Sequence, residues 1–251
     1  MLSIHELSKR YGKENVLINF NLDIENREII SVVGGSGSGK TTLLRLISGL
    51  VLPDNGKIIL NNKVVNDKDV FVPPENRDCS LVFQDYALFP NMSMRDNIYF
   101  GKNSNQNKER VEKLIRVTKV EKILDKFPHE CSGGEQQRVA LVRSLAINPS
   151  LVLMDEPLSN LDYNLKSNLR SMIKKLLKKF KTTAVAGDFS GGIAEASDGT
   201  LYLAGRGYEA GVGFVTNPQK AMTAFDPDTG AVQAGGIQLT YMGTGRVHGA
   251  P

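Results

Sequence analysis

The chain has 251 residues, 41% of them hydrophobic and 23% charged, and a formal net charge of +4. That composition supplies a core and a soluble surface, and so mild a charge does not by itself point to nucleic acid. No apolar run reaches the ~18 residues of a membrane span, the N-terminal MLSIHELSKRYGKENV lacks a signal-peptide core, and the two cysteines, Cys79 and Cys131, have no metal-type spacing, so a reducing cytoplasm is the default.

The first element that carries chemistry starts at residues 29–33, IISVV, a short β-branched run suited to a buried parallel strand. It leads into GGSGSGKT at 34–41, which fits G-x-x-x-x-G-K-[ST]. Gly34, Gly35, Ser36, Gly37, Ser38 and Gly39 let the backbone wrap a phosphate closely, with N–H groups turned inward. Lys40 is expected on the β- and γ-phosphates and the Thr41 hydroxyl on Mg2+, with Thr42 closing the cradle. Leu43, Leu44 and Ile47 give the following helix an apolar face, and Gly49 suits its C-cap. The helix N-terminus adds partial positive charge beside the phosphates. The competing reading is a plain Gly/Ser loop, which the flanking strand and helix argue against.

A cradle alone implies only a nucleoside triphosphate. Further along, SLVLMDEP has four apolar residues at 151–154 ending in Asp155 and Glu156. A strand ending in Asp places a carboxylate beside the Mg2+ site, and Glu156 follows it as a general base for an attacking water. The competing reading is a strand followed by a solvated acidic turn.

Between these elements lie LVFQDYALFPNMSMRDNIYFG and CSGGEQQRVALVRSLAINPSLVLMDEP. Here residues 1–181 resemble the ATP-binding subunit of an ABC transporter, with the family's motifs in order. The resemblance implies an α/β P-loop NTPase fold of the ABC nucleotide-binding type, with a helical subdomain at about 86–148. By the same resemblance, Tyr11 stacks on adenine, and Gln84 reaches both the Mg2+ and the attacking water while its loop senses a membrane partner. Ser132, Gly133, Gly134 and Glu135 correspond to the signature sequence, a second anion site that serves the nucleotide of the other subunit in a head-to-tail dimer. Cys131 and Glu135 depart from the commonest letters, and Glu135 adds negative charge near phosphate. SNLD at 159–162, ending in Asp162, corresponds to the loop coupling the two sites. Val139, Val142, Leu145 and Ala146 recur at helical spacing and are expected in the core. So are Leu165, Leu169, Ile173, Leu176 and Leu177 of the next helix, whose lysines form a solvated face.

The stretch FVPPENRDCSLVFQDYALFPNMSMRDNIYFG resembles importers of the iron, polyamine, sulfate and maltose type. That implies a peripheral cytoplasmic subunit working with ATP, Mg2+, a second copy of itself and membrane permease subunits, and no nucleic acid. Such proteins usually continue into a C-terminal regulatory barrel, and this sequence is expected to have no room for a complete one.

The tail reads differently. Residues 1–181 hold 28 Lys+Arg against 21 Asp+Glu, and residues 182–251 hold 3 against 6. Asparagine occurs 18 times before that division and once after it, while 14 of the 24 glycines fall after it. Short alternating segments with Asp-Gly turns resemble one repeat of a bacterial β-propeller, which makes 182–251 a β-rich, atypical tail and the whole a chimera joined between 181 and 187. The family's strand ending in THD has TTAVAGD as its counterpart here, with Gly187 the best match for the histidine. Two functions follow: an ATP-hydrolysing subunit energising solute import, or an ATP-held dimerisation switch that scarcely hydrolyses because the histidine is absent. A secreted propeller fragment and a soluble ABC protein of DNA repair or translation are less consistent with these motifs.

Overall fold

The structure is a computed structural model that describes residues 1–26, 28–32, 37–102, 104–158, 163–180, 182–187, 192–195 and 201–204. Gly34, Gly35, Ser36 and Asp162 from the expected site lie outside the described residues, as does the tail from 205 onward.

Two sheets enclose one of two cores. The first is antiparallel, in the order β2-β1-β4-β5. Its strands are β1 (Leu2–Tyr11), β2 (Glu14–Ile24), β4 (Asn55–Leu60) and β5 (Lys63–Asn66). Along β2 the buried residues Leu17, Phe20, Leu22 and Ile24 face inward with near-alternating polar neighbours, as a sheet solvated on one face requires. The second sheet is parallel, in the order β3-β8-β7-β6, from β3 (Ile29–Val32), β8 (Thr183–Gly187), β7 (Leu151–Asp155) and β6 (Cys79–Val82). All five residues of β7 are buried, the continuous apolar pattern of a strand covered on both faces.

Side-chain alternation along β7 divides the interior in two. Leu151 and Leu153 pack with the antiparallel sheet and with α1 (Lys40–Ser48) through Leu43, Leu44 and Ile47. Val152 and Met154 pack with the helices α2 (Met94–Tyr99), α3 (Lys108–Thr118), α4 (Gly133–Ala146) and α5 (Tyr163–Phe180). Val139, Val142, Leu145 and Ala146 are buried as their spacing predicts, and so are Leu169, Ile173, Leu176 and Leu177, while the Leu165 side chain lies outside those described. Cys131 packs as a small partly buried hydrophobe, and burial pushes the Cys79 thiol up to about 12.

The far end of α1 is held by one side chain. Arg77, 5% exposed, donates from Nη1 to the carbonyl oxygens of Leu46 and Ile47, from Nη2 to that of Val65 and from Nε to that of Val72. Gly49, the C-cap at φ 84°, leaves room for it: a Cβ there would lie 2.6 Å from Arg77 Nε.

Residues just past the expected division at 181 belong to the parallel sheet. β8 lies between β3 and β7, pairing Ile29 with Ala184 and Leu151 with Thr183. Thr183, Ala184 and Val185 are buried, so TTAVA supplies the strand the sheet needs. Beyond it, the described part of the tail is a short antiparallel pair, β9 (Gly192–Glu195) and β10 (Leu201–Ala204). The expectation of a β-rich tail over all of 182–251 is not supported beyond that pair.

Candidate functional site

Helix α1 begins where an anion site needs a bare helix start. Its N-cap, Gly39, takes φ 95° and provides no side-chain cap, and the first turn has no acidic residue. A helix start without a side-chain cap suits an anion, which the helix dipole favours there. Only glycine suits this N-cap. Its backbone is left-handed, and a Cβ would come within 3.0 Å of Val16 on β2. Ser38 is 4% exposed, and among the described residues its Oγ has no hydrogen-bond partner, a polar atom that a bound phosphate would satisfy.

The next two residues of the helix meet the acidic end of β7. The Thr41 hydroxyl donates to Asp155 Oδ1 at 2.9 Å. Lys40, 95% buried, lies 3.8 Å from Glu156 Oε1. Glu156 itself takes φ 43°, left-handed backbone for a non-glycine residue, at a cost of order 1–3 kcal/mol that is characteristic of functional sites. Thr41 and Asp155 line a cavity of about 410 Å³ together with Arg45, Phe83, Gln84 and Asp85. The fold therefore brings together Lys40, Thr41, Gln84, Asp155 and Glu156, which lie far apart in sequence. Arg45 and Asp85 join them unannounced. Arg45 is one helical turn beyond Thr41, and that spacing was the available signal.

Thr41, Gln84 and Asp155 offer hard oxygen donors around one space, which fits Mg2+. Among the described residues no group of three His, Cys, Asp or Glu could hold a metal ion. In phosphate sites Mg2+ usually takes one or two protein ligands and is completed by the substrate's phosphates.

Tyr11 is 47% exposed at the end of β1, where the hairpin turns at Gly12, and Lys9 Nζ lies 5.4 Å from its ring centroid. The same hairpin carries Val16 against Gly39, the N-cap of α1. Ser132, Gly133, Gly134 and Glu135 are not among the residues lining the Thr41–Asp155 cavity. They start α4 instead. Ser132 is its N-cap and accepts from the Glu135 N–H, while Glu135 Oε2 accepts from the Ser132 N–H and hydroxyl, both at 2.8 Å. These bonds, the backbone one first, hold the Glu135 carboxyl below the usual carboxylate range. Gly187 ends β8 between Val32, the last residue of β3, and Asp155, the last of β7.

Fold and site together define a P-loop nucleotide-binding domain. The ABC transporter family matches residues 17–159, more than half of the sequence, and the chain belongs to that family. It is 42% identical over 170 residues to the Fe(3+) ions import ATP-binding protein FbpC of Fusobacterium nucleatum subsp. nucleatum, covering 66% of this chain and 45% of that protein. It is 43% identical over 171 residues to the spermidine/putrescine import ATP-binding protein PotA of Nitrosospira multiformis, covering 66% of this chain and 46% of that one. The chain thus spans about half the length of the curated relatives it matches. A dimeric post-hydrolysis structure of the ATP-binding cassette MJ0796 bound to ADP and Pi superposes with a TM-score of 0.63 at 28% identity, covering 74% of this chain and 87% of that one. The propeller-repeat reading of 182–251, and the chimera built on it, gain no support from these likenesses.

Proposed function

We propose that this chain is the ATP-hydrolysing subunit of an importer, binding Mg·ATP at the cradle and energising a membrane permease. The observation that carries the proposal is the convergence of Lys40, Thr41, Gln84, Asp155 and Glu156 around the uncapped start of α1. Residues 34–42 cradle the phosphates, Tyr11 stacks on the base, and Asp162 belongs to the coupling between two copies. Thr41, Gln84 and Asp155 would hold Mg2+, which when bound neutralises charge on the β- and γ-phosphates. Glu156 orients a water and takes its proton as the water oxygen bonds to the γ-phosphorus and the bridge to ADP breaks. Lys40, released from Glu156, is placed to meet the γ-phosphate oxygens.

Hydrolysis is preferred to the ATP-held switch because a similar cassette has been captured with ADP and Pi. The relatives' import names support a role beside permease subunits, with the chain peripheral on the cytoplasmic side. Among the described residues no helix is long and apolar enough to cross a membrane. We place the ATPase domain from residue 1 through Gly187, with 86–148 as its helical part.

Lys40→Ala is the test. It is expected to abolish binding of a fluorescent ATP analogue, and unchanged affinity would sink the assignment.

A further inference from the structure

The strand that carries Tyr11 outruns one of its two neighbours. β1 pairs with β4 from Leu2↔Leu60 to His5↔Lys57, and after a register shift the last pair is Ser8↔Asn55. Pairing with β2 continues through Lys9↔Leu17, Arg10↔Asn15 and Tyr11↔Glu14, with register shifts on either side of Lys9. The end of β1 and the hairpin turn after it are therefore held by the sheet along one edge only. A two-stranded ribbon is marginal in water unless something else packs against it.

Asp54, the residue just before β4, takes over where the ladder ends. Its N–H donates to the Ser8 carbonyl oxygen at 2.9 Å. Its Oδ2 accepts from the Arg10 N–H at 2.6 Å, in place of a carbonyl from a longer β4. Its Oδ1 accepts from Lys9 Nζ at 3.0 Å. The Lys9 side chain is only 14% exposed, and its ammonium lies over the Tyr11 ring. One carboxylate thus fixes the backbone one residue before Tyr11 and, through Lys9, one face of the ring. These bonds, the Arg10 one first, hold the Asp54 carboxyl below the usual carboxylate range. An exposed ion pair alone contributes little, but a carboxylate that takes a backbone N–H and an ammonium together restricts both. A ring steadied by a cation on one face offers the other to a flat ligand, with less freedom left to lose on binding.

We propose that Asp54 is a positioning residue for base stacking: through Arg10 and Lys9 it fixes where the Tyr11 ring stands, and so sets the preference of the site for a triphosphate that carries a base over one that does not. This rests on the stacking role proposed above for Tyr11.

The probes are Mg·ATP and Mg·tripolyphosphate, which offers phosphates without a base, with Kd measured by calorimetry. Asp54→Ala is expected to weaken ATP about fivefold and to leave tripolyphosphate within about twofold. Tyr11→Leu is expected to weaken ATP about tenfold, and Asp54→Ala added to it costs nothing further. Without nucleotide, Asp54→Ala raises amide hydrogen exchange of Arg10 and Tyr11 about tenfold and leaves β7 unchanged. Asp54→Asn keeps an acceptor for Arg10 but loses the ion pair; it is expected to weaken ATP about threefold and carries the same readouts should Asp54→Ala not fold. Equal loss of both ligands would mean that Asp54 supports the cradle and not the ring, and overturns the proposal. Unchanged exchange at Arg10 and Tyr11, or a full further loss in the Tyr11→Leu background, overturns it as well. If Tyr11→Leu itself leaves ATP affinity unchanged, the stacking role fails and the positioning of the ring falls with it. A tenfold effect of Tyr11→Leu beside a silent Asp54→Ala defeats the positioning alone.

Discussion

Gly187 ends β8 with Val32 on one side, leading into the cradle, and Asp155 on the other. The family resemblance expects a histidine at this strand end, and glycine has no side chain with which to touch the γ-phosphate or the water. Lys40, Thr41, Asp155 and Glu156 remain, so the loss is expected in the chemical step and not in binding. Gly187→His is expected to raise kcat in steady-state ATP hydrolysis by roughly a hundredfold, the order of one preorganised contact to developing charge. ATP affinity should stay the same. A variant with no gain in kcat would mean that the water is held without help from this position.

Among the elements, α1 and α4 each present an N-terminus and are finished in opposite ways. The Gly39 N-cap leaves the first turn of α1 open for an anion, whereas Ser132 and Glu135 satisfy the first turn of α4 with a capping box. Glu135 is held below its ordinary range, so its contribution is fully present above the carboxylate value of the unfolded chain and is lost as pH falls through the lower folded value. The start of α4 should therefore fray in acid before its buried middle does, as amide exchange of 133–136 against 139–145 from neutral pH toward pH ~3 would reveal. Simultaneous loss of both segments would argue against a local cap. At its other end α1 relies on Arg77, whose guanidinium serves four carbonyls. Arg77→Ala strips all four at about 1 kcal/mol each, for a loss of roughly 3–4 kcal/mol. The melting temperature should fall by ~10 °C in calorimetry. A fall of only a degree or two would mean that water replaces the guanidinium.

At the scale of the molecule, the signature-like turn lies outside the cavity formed by Thr41, Gln84 and Asp155. The sequence resemblance expects that turn to serve the nucleotide of a second copy, and the similar MJ0796 cassette is dimeric in its structure. Glu156→Gln slows hydrolysis by roughly 10² or more while leaving ATP in place. With Mg·ATP it should sediment as a dimer and without nucleotide as a monomer. A monomer at saturating ATP and high protein concentration would remove the role expected of Ser132–Gly134.

The sequence by itself determined the local chemistry. The β-branched run before the cradle, the G-x-x-x-x-G-K-T spacing, the apolar strand ending in Asp155–Glu156 and the helical spacing of Val139, Val142 and Leu145 are short-range patterns, fixed by backbone preference and burial within a few residues. Family order added Gln84, whose place in the cavity no local pattern marks. Only the tertiary structure decided that β8, composed differently from what precedes it, sits between β3 and β7, because pairing in a parallel sheet depends on distant partners rather than on neighbours in the chain. It likewise decided which carbonyls Arg77 and Arg143 serve. A guanidinium's partners are backbone oxygens, which every residue carries, so sequence identity says nothing about them and only the packing of one element against another selects them.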